Sequence, residues 1–181
     1  GWQGVWRSVN GGIKFTKISG SSITGFLNCL TVASSNTKYI YASVNNVLYR
    51  TNNGGATWTS VNLPTTITSI AVSPDSPTKI WVTLNSSTAR IYVSTDMGDN
   101  FTDISAGLPS MSARSVVVDD NLDEGVYLGM NIGVYYMDKN TPWMLLATGL
   151  PLVAINDLEI QKSGAKLRVA TYGRGIWETD L

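Results

Sequence analysis

Apolar residues recur along this chain in short bursts of period two, with Gly, Pro, Asn, Asp and Ser punctuating the gaps. Ile67 to Ser73 (ITSIAVS) alternates apolar and polar side chains, the pattern of a half-buried strand whose successive Cβ atoms point to opposite faces. Ile80–Leu84 (IWVTL), Arg90–Thr95 (RIYVST) and Asn100–Ile104 (NFTDI) continue the series. Turn residues separate them at Pro74-Asp75-Ser76-Pro77, Asn85-Ser86-Ser87 and Asp96-Met97-Gly98-Asp99, where side-chain-to-backbone bonds and positive φ are available. No segment carries a helical period, so an all-β chain without helices is expected.

The series repeats. Val5-Trp6-Arg7-Ser8, Leu48-Tyr49-Arg50-Thr51, Ile91-Tyr92-Val93-Ser94 and Val134-Tyr135-Tyr136-Met137 align at constant intervals of 43 residues, and Ile176-Trp177-Glu178-Thr179 follows after 42. Such a period, with four short strands per unit, predicts a β-propeller of four-stranded antiparallel blades. Inner strands are expected at Cys29–Ala33, Ile67–Ser73, Arg114–Asp119 and Ala154–Ile160. The units divide the chain into a partial blade at 1–18, blades at 19–61, 62–105 and 106–147, and a last blade at 148–181. Seventeen strands result, about four blades, and Val5–Ser8 and Ile176–Thr179 occupy the same place in the unit. That surplus strand favours part of a larger propeller of roughly six to eight blades over a closed four-bladed ring. The opening residue Gly1, in place of Met, suits a mature form or a piece of a longer protein.

A motif marks the turn after each third strand: Ser8-x-Asn10-x-Gly12-x-x-Phe15, Thr51-x-Asn53-x-Gly55-x-x-Trp58 and Ser94-x-Asp96-x-Gly98-x-x-Phe101. Asn or Asp can accept bonds from nearby backbone N–H groups, Gly tolerates positive φ, and the aromatic covers the turn. The fourth copy has decayed to Met137-Asp138-Lys139-Asn140-Thr141-Pro142-Trp143, one residue short, which accounts for the final 42-residue interval.

With these residues the chain resembles the Asp-box (BNR) propellers, particularly the xyloglucanase-like glycoside hydrolases of family 74 and the sortilin-type domains. Ala170-Thr171-Tyr172-Gly173-Arg174-Gly175-Ile176-Trp177 is similar to their last blade, and Gly107-Leu108-Pro109 and Gly149-Leu150-Pro151 resemble their entry into inner strands. The resemblance spans the whole chain. It implies secretion to the extracellular space or cell surface, a structural rather than catalytic role for the box residues, and ligand binding by the face opposite.

Charged residues make up only 14% of the chain, so the exposed surface is mostly neutral polar, as in turn-rich β proteins. The net charge is zero, which leaves no electrostatic footprint for nucleic acid. Its distribution is uneven: residues 1–74 hold five basic groups and no acid, and residues 75–181 hold eight basic and 13 acidic groups. The absence of His excludes imidazole-based triads and zinc sites. The single Cys29 excludes an internal disulfide, reads as a small packed residue of an inner strand, and weakly favours a bacterial origin. No apolar run reaches the roughly 18 residues of a membrane span, and no signal peptide is evident.

Candidate chemistry lies on the face formed by the loops from outer to next inner strand and from second to third strand. Asn45, Asn85, Arg90, Arg114, Asn131, Tyr172 and Arg174 are its polar and aromatic residues, suited to sugar hydroxyls or a peptide backbone. Those loops contain no Asp or Glu, whereas glycoside hydrolysis needs paired carboxylates. Asp157, on the last inner strand, is the best remaining acid. Asp119, Asp120 and Asp123 are weighed as Ca²⁺ ligands against a solvated turn. Five of the six Trp residues occupy box or strand positions and are expected to pack between blades; Trp2 has no assigned place. Three functions stay open. One is a non-catalytic module binding a glycan or protein, needing no cofactor. Another is the C-terminal part of a xyloglucanase-like or sialidase-like hydrolase with its acids on other blades. The third is a structural spacer. Missing blades or self-association would cover the open faces.

Overall fold

A computed structural model describes residues 3–88, 90–120, 124–146 and 149–181. Among the described residues, seventeen strands fall into five consecutive antiparallel sheets. The partial blade is β1 (Trp6–Ser8) and β2 (Phe15–Lys17). The first full blade is β3 (Cys29–Val32), β4 (Ile40–Val44), β5 (Val47–Thr51) and β6 (Thr59–Asn62). The second is β7 (Ile67–Val72), β8 (Ile80–Leu84), β9 (Ile91–Ser94) and β10 (Thr102–Asp103). The third is β11 (Ala113–Val118), β12 (Val126–Met130), β13 (Gly133–Met137) and β14 (Met144–Leu145). The last is β15 (Ile155–Gln161), β16 (Lys166–Thr171) and β17 (Ile176–Asp180). Each sheet is ordered as the chain runs, and the inner strands β3, β7, β11 and β15 pack side by side. The molecule is a partial propeller.

Three details depart from the sequence reading. A single 3-10 turn, Lys162–Gly164, follows β15 and closes on Ala165 in the left-handed region (φ 47°), so helical backbone is present after all. The inner strands also do not alternate throughout. Register slips at Ile67/Ser69, Ala113/Ser115 and Ile155/Asp157, a bulge repeated in three blades that leaves Thr68, Arg114 and Asn156 as the extra residues. Bulges re-aim side chains beside functional surfaces. The outer strand β6 runs to Asn62, one residue past the expected boundary, and the 147/148 boundary lies outside the described residues.

Blades are held by apolar rows buried between neighbouring sheets. Ile67, Ile70, Ile80 and Val82 of the second blade pack on Tyr41 and Leu48 of the first. Ala71, Trp81 and Ile91 of the second meet Val116, Val126 and Leu128 of the third. Tyr127 and Val134 of the third meet Ile155, Leu158, Leu167 and Val169 of the last. Each such side chain contributes about 1.5–3 kcal/mol on burial. Polar ties repeat along the axis: the N–H of Val116 donates to Ser69 Oγ (3.3 Å) and that of Leu158 to Ser115 Oγ (3.1 Å). Cys29 packs at the first of these interfaces, and burial pushes its thiol up.

The boxes form one hydrogen-bond pattern three times. Ser94 Oγ donates to Asp96 Oδ1 (2.7 Å) and accepts the Gly98 N–H (2.7 Å), while Asp96 Oδ1 accepts the Asn100 N–H (2.9 Å). Ser8, Asn10, Gly12 and Lys14 repeat the set, as do Thr51, Asn53, Gly55 and Thr57. The Gly N–H can turn inward because Gly12, Gly55 and Gly98 hold φ near 90°, which a Cβ would strain. The aromatics cover neighbours: Trp58 Nε1 donates to Ile18 O (2.9 Å) and Trp143 Nε1 to Ile104 O (2.6 Å), each in the preceding blade. Trp81 is buried between the second and third blades. Trp177 departs from the expected packing: it is 39% exposed and donates to Arg174 O in its own turn. Trp2 lies outside the described residues.

The two ends of the arc differ. At the first full blade, Leu30 (50% exposed) and Val32 (48%) face where the partial blade has no inner strands. On the last blade, the row that is apolar in the middle blades reads Glu159-Arg168-Glu178, with Arg168 Nε donating to Glu178 (3.1 Å).

Two outcomes follow from this packing. Ser94→Ala removes the acceptor of the Gly98 N–H in a buried turn and is expected to cost about 1–3 kcal/mol, read by urea unfolding. Bonds from the Asn100 backbone and side chain, then from Ser94, hold the Asp96 carboxyl well below the usual range. A depressed folded-state pKa gives stability that is complete above the unfolded value, about 4, and lost as pH falls through the folded value. Asp96→Asn, which imitates Asn10 and Asn53, should therefore keep the fold at pH 7 and flatten this acid limb of the melting-temperature profile.

Candidate functional site

The repeated bulge builds a polar concavity on the loop face. Thr68, Asn85, Ser112, Ala113, Arg114 and Asn131 line a pocket of ≈ 230 Å³ between the second and third blades. Thr68 and Arg114 are bulge residues. Asn85 and Asn131 stand in the turns from second to third strand. Thr68 Oγ1 donates to Ala113 O (2.9 Å), Ser112 Oγ to Asn85 Oδ1 (3.0 Å) and Arg114 Nε to Asn131 Oδ1 (2.6 Å). These bonds cross the blade boundary or the strand pair and hold the polar groups in place before any ligand arrives. The lining carries one cation and no acid, so it offers directed hydrogen bonds and a positive charge but no pair for acid–base chemistry.

Three residues expected on this face are thus brought together: Asn85, Arg114 and Asn131. The others are placed differently. Asn45 is a turn residue with φ 53°; its N–H donates to Asn28 Oδ1 and its carbonyl accepts the Ile67 N–H (2.9 Å). Arg90 is 8% exposed, and its guanidinium donates to the carbonyls of Pro109 (2.6 Å), Leu108 (2.9 Å) and Thr88. It fastens the Gly107-Leu108-Pro109 turn and has little left for a ligand. Tyr172 (73% exposed) and Arg174 belong to the matching turn of the last blade and line no part of this pocket. Thr68 and Ser112 were not foreseen. The signal for Thr68 is a slip in the apolar spacing, since Ile67–Ile70, Ala113–Val116 and Ile155–Leu158 are each three apart.

The carboxylates lie elsewhere. Asp157, exposed on β15, accepts bonds from Ser115 Oγ (3.1 Å) and the Leu158 N–H (3.0 Å). Of the acids weighed for Ca²⁺, Asp119 is buried, Asp120 is paired with Lys162 of the last blade (2.9 Å), and Asp123 lies outside the described residues. The bond from Lys162 holds the Asp120 carboxyl below its ordinary range. Glu124 pairs with Lys79 of the second blade. Among the described residues no three ligating side chains are placed to hold a metal, and Asp120 and Glu124 tie neighbouring blades together. No helix among the described residues is long and apolar enough to cross a membrane.

Comparison with known proteins agrees with this architecture. The crystal structure of an ancestral GH74 enzyme superposes with TM-score 0.67 and 22% identity over 93% of this chain and 24% of that one. The GH74 xyloglucanase from Xanthomonas campestris gives 0.67 and 14% over 84% of this chain and 29% of its own. The Cps50 (Swd1) β-propeller domain of Myceliophteria thermophila gives 0.68 and 13% over 86% of this chain and 52% of that domain. The chain thus spans about a quarter of the GH74 enzymes it resembles. A search of curated proteins gives no match. The family model described as "Sortilin, neurotensin receptor 3" matches residues 3–124. With its Asp boxes, its stacked four-stranded blades and that match over most of its length, the chain belongs to the Sortilin-Vps10 family of propellers.

Proposed function

We propose that this chain is a non-catalytic part of an extracellular binding propeller, and that its loop face recognises a carbohydrate or protein ligand. The observation that carries this reading is the pocket of Thr68, Asn85, Ser112, Arg114 and Asn131, pre-ordered, polar and free of carboxylates. Fixed amide and hydroxyl groups beside one guanidinium suit the directed bonding of sugar hydroxyls or backbone carbonyls. Secretion accords with a mostly neutral polar surface, and a bacterial source with the lone Cys29.

The likeness to GH74 structures favours one alternative, in which this arc belongs to a hydrolase whose acids sit on other blades. The two readings differ in turnover. Arg114→Ala, tested by glycan array and calorimetry, is expected to weaken binding about tenfold through loss of a charge-assisted bond without lowering the melting temperature. Xyloglucan and sialoside substrates should stay intact in the presence of the protein. Release of reducing sugar by the full-length protein would establish the alternative.

A further inference from the structure

The repeat supplies its own comparison for a second site, at the rim of the arc. Arg7 and Arg50 occupy the same place on their third strands, 43 residues apart. Each reaches the box turn of the next blade: Arg50 Nη1 donates to Met97 O (2.8 Å) and Arg7 Nη1 to Gly54 O (3.3 Å). Around Arg50, Nη2 meets the carboxylate of Asp99 and Nε donates to Thr59 Oγ1 (3.2 Å). The residue equivalent to Asp99 beside Arg7 is Ala56. No acid exists anywhere in residues 1–74, and among the described residues no ion pair involves Arg7, Lys14 or Lys17. Where the carboxylate would stand there is a pocket of ≈ 450 Å³, bounded by Arg7, Lys17, Ser19, Ala56, Thr57 and Trp58.

We propose that this pocket binds the carboxylate of an acidic sugar, a uronate residue within a glycan. Arg7 takes the place against the ligand that Arg50 takes against Asp99, with Nη2 forming the charge-assisted bond. Lys17 adds a second positive charge. Thr57 Oγ1 accepts a bond from Asn53 Nδ2 (2.7 Å) and keeps its O–H to donate to a ring hydroxyl, and the half-buried indole of Trp58 offers a wall for the apolar face of a pyranose. An acidic peptide would satisfy the guanidinium but make no use of the Thr57 hydroxyl and the indole together. The site is distinct from the loop-face pocket and shares no residue with it.

Calorimetry at low ionic strength with trigalacturonate, its methyl ester and a hexa-aspartate peptide tests the assignment. Trigalacturonate is expected to bind at least about tenfold more tightly than either comparator. Ala56→Asp supplies the repeat's own carboxylate and should abolish binding while leaving the circular dichroism spectrum unchanged. Arg7→Gln should lose about tenfold in affinity, which keeps the test open if Ala56→Asp fails to fold. Equal affinity for the methyl ester, or binding that survives both Ala56→Asp and Arg7→Gln, would overturn the site. Tighter binding of the peptide than of the uronide would overturn the sugar assignment.

Discussion

A four-stranded blade has two faces, and both must be covered by apolar contact before the sheet is stable. Every other feature of this chain depends on that constraint. In the first full blade Tyr41 and Leu48 look one way, toward the second blade, and Ala42 and Val44 look the other, toward Val5 and Ile18. The same division recurs in the second and third blades. A blade alone would leave one such face wet, so stability accrues through neighbours, as in other repeat proteins. The inner-strand bulges lie at these contacts and also open onto the loop face. The pocket of Arg114 and Asn131 is therefore a by-product of blade packing, placed where the bulge turns a side chain outward.

The Asp boxes belong to the same economy of contacts. They are local turns, complete in their own hydrogen bonds, yet they stand where the previous blade reaches across. Arg7 bonds the second box and Arg50 the third. In the next unit the equivalent residue is Val93, and the turn it faces is the decayed copy at Met137–Trp143. There Tyr136 donates to Asp138 (2.8 Å), and Asp138 Oδ1 accepts the N–H groups of Asn140 and Thr141 (each 2.7 Å). The turn keeps an acid-centred set of bonds without the box, and Trp143 still reaches the preceding blade. What persists across all the units is the inter-blade contact; the motif is one way of shaping the turn that makes it.

At the ends of the arc this covering stops. Leu30 and Val32 present an apolar surface at one end, while the last blade presents Glu159, Arg168 and Glu178 at the other. The surface ion pairs there contribute little stability in water, so that face is kept wet by its composition. The basic character of the first residues and the acidic character of the later ones follow the same division. Within the arc, acids such as Asp120 and Glu124 are used against lysines of adjacent blades, whereas the bases of the partial blade have no acid nearby.

The sequence by itself determined the class, the 43-residue unit, the order of strands and the box geometry. Each of these is local: a strand needs alternation, a tight turn needs Gly and an acceptor side chain, and a repeat needs only its spacing. It also placed Asn85, Arg114 and Asn131 on one face. Tertiary structure decided what those residues can do. Arg90 reads on paper like Arg114, yet one is buried against three carbonyls and the other lines an open pocket. Arg7 reads like Arg50, yet Asp99 neutralises one and Ala56 leaves the other open. Of the acids weighed as cation ligands, Asp120 pairs with a lysine of the next blade, as nearby Glu124 does with one of the blade before. The reason is common to all three. A charge is satisfied by whatever packing brings to it, a loop 18 or 19 residues on for Arg90 and a neighbouring blade 42 to 49 residues away for Asp120, Glu124 and Arg50, and only packing reveals that partner.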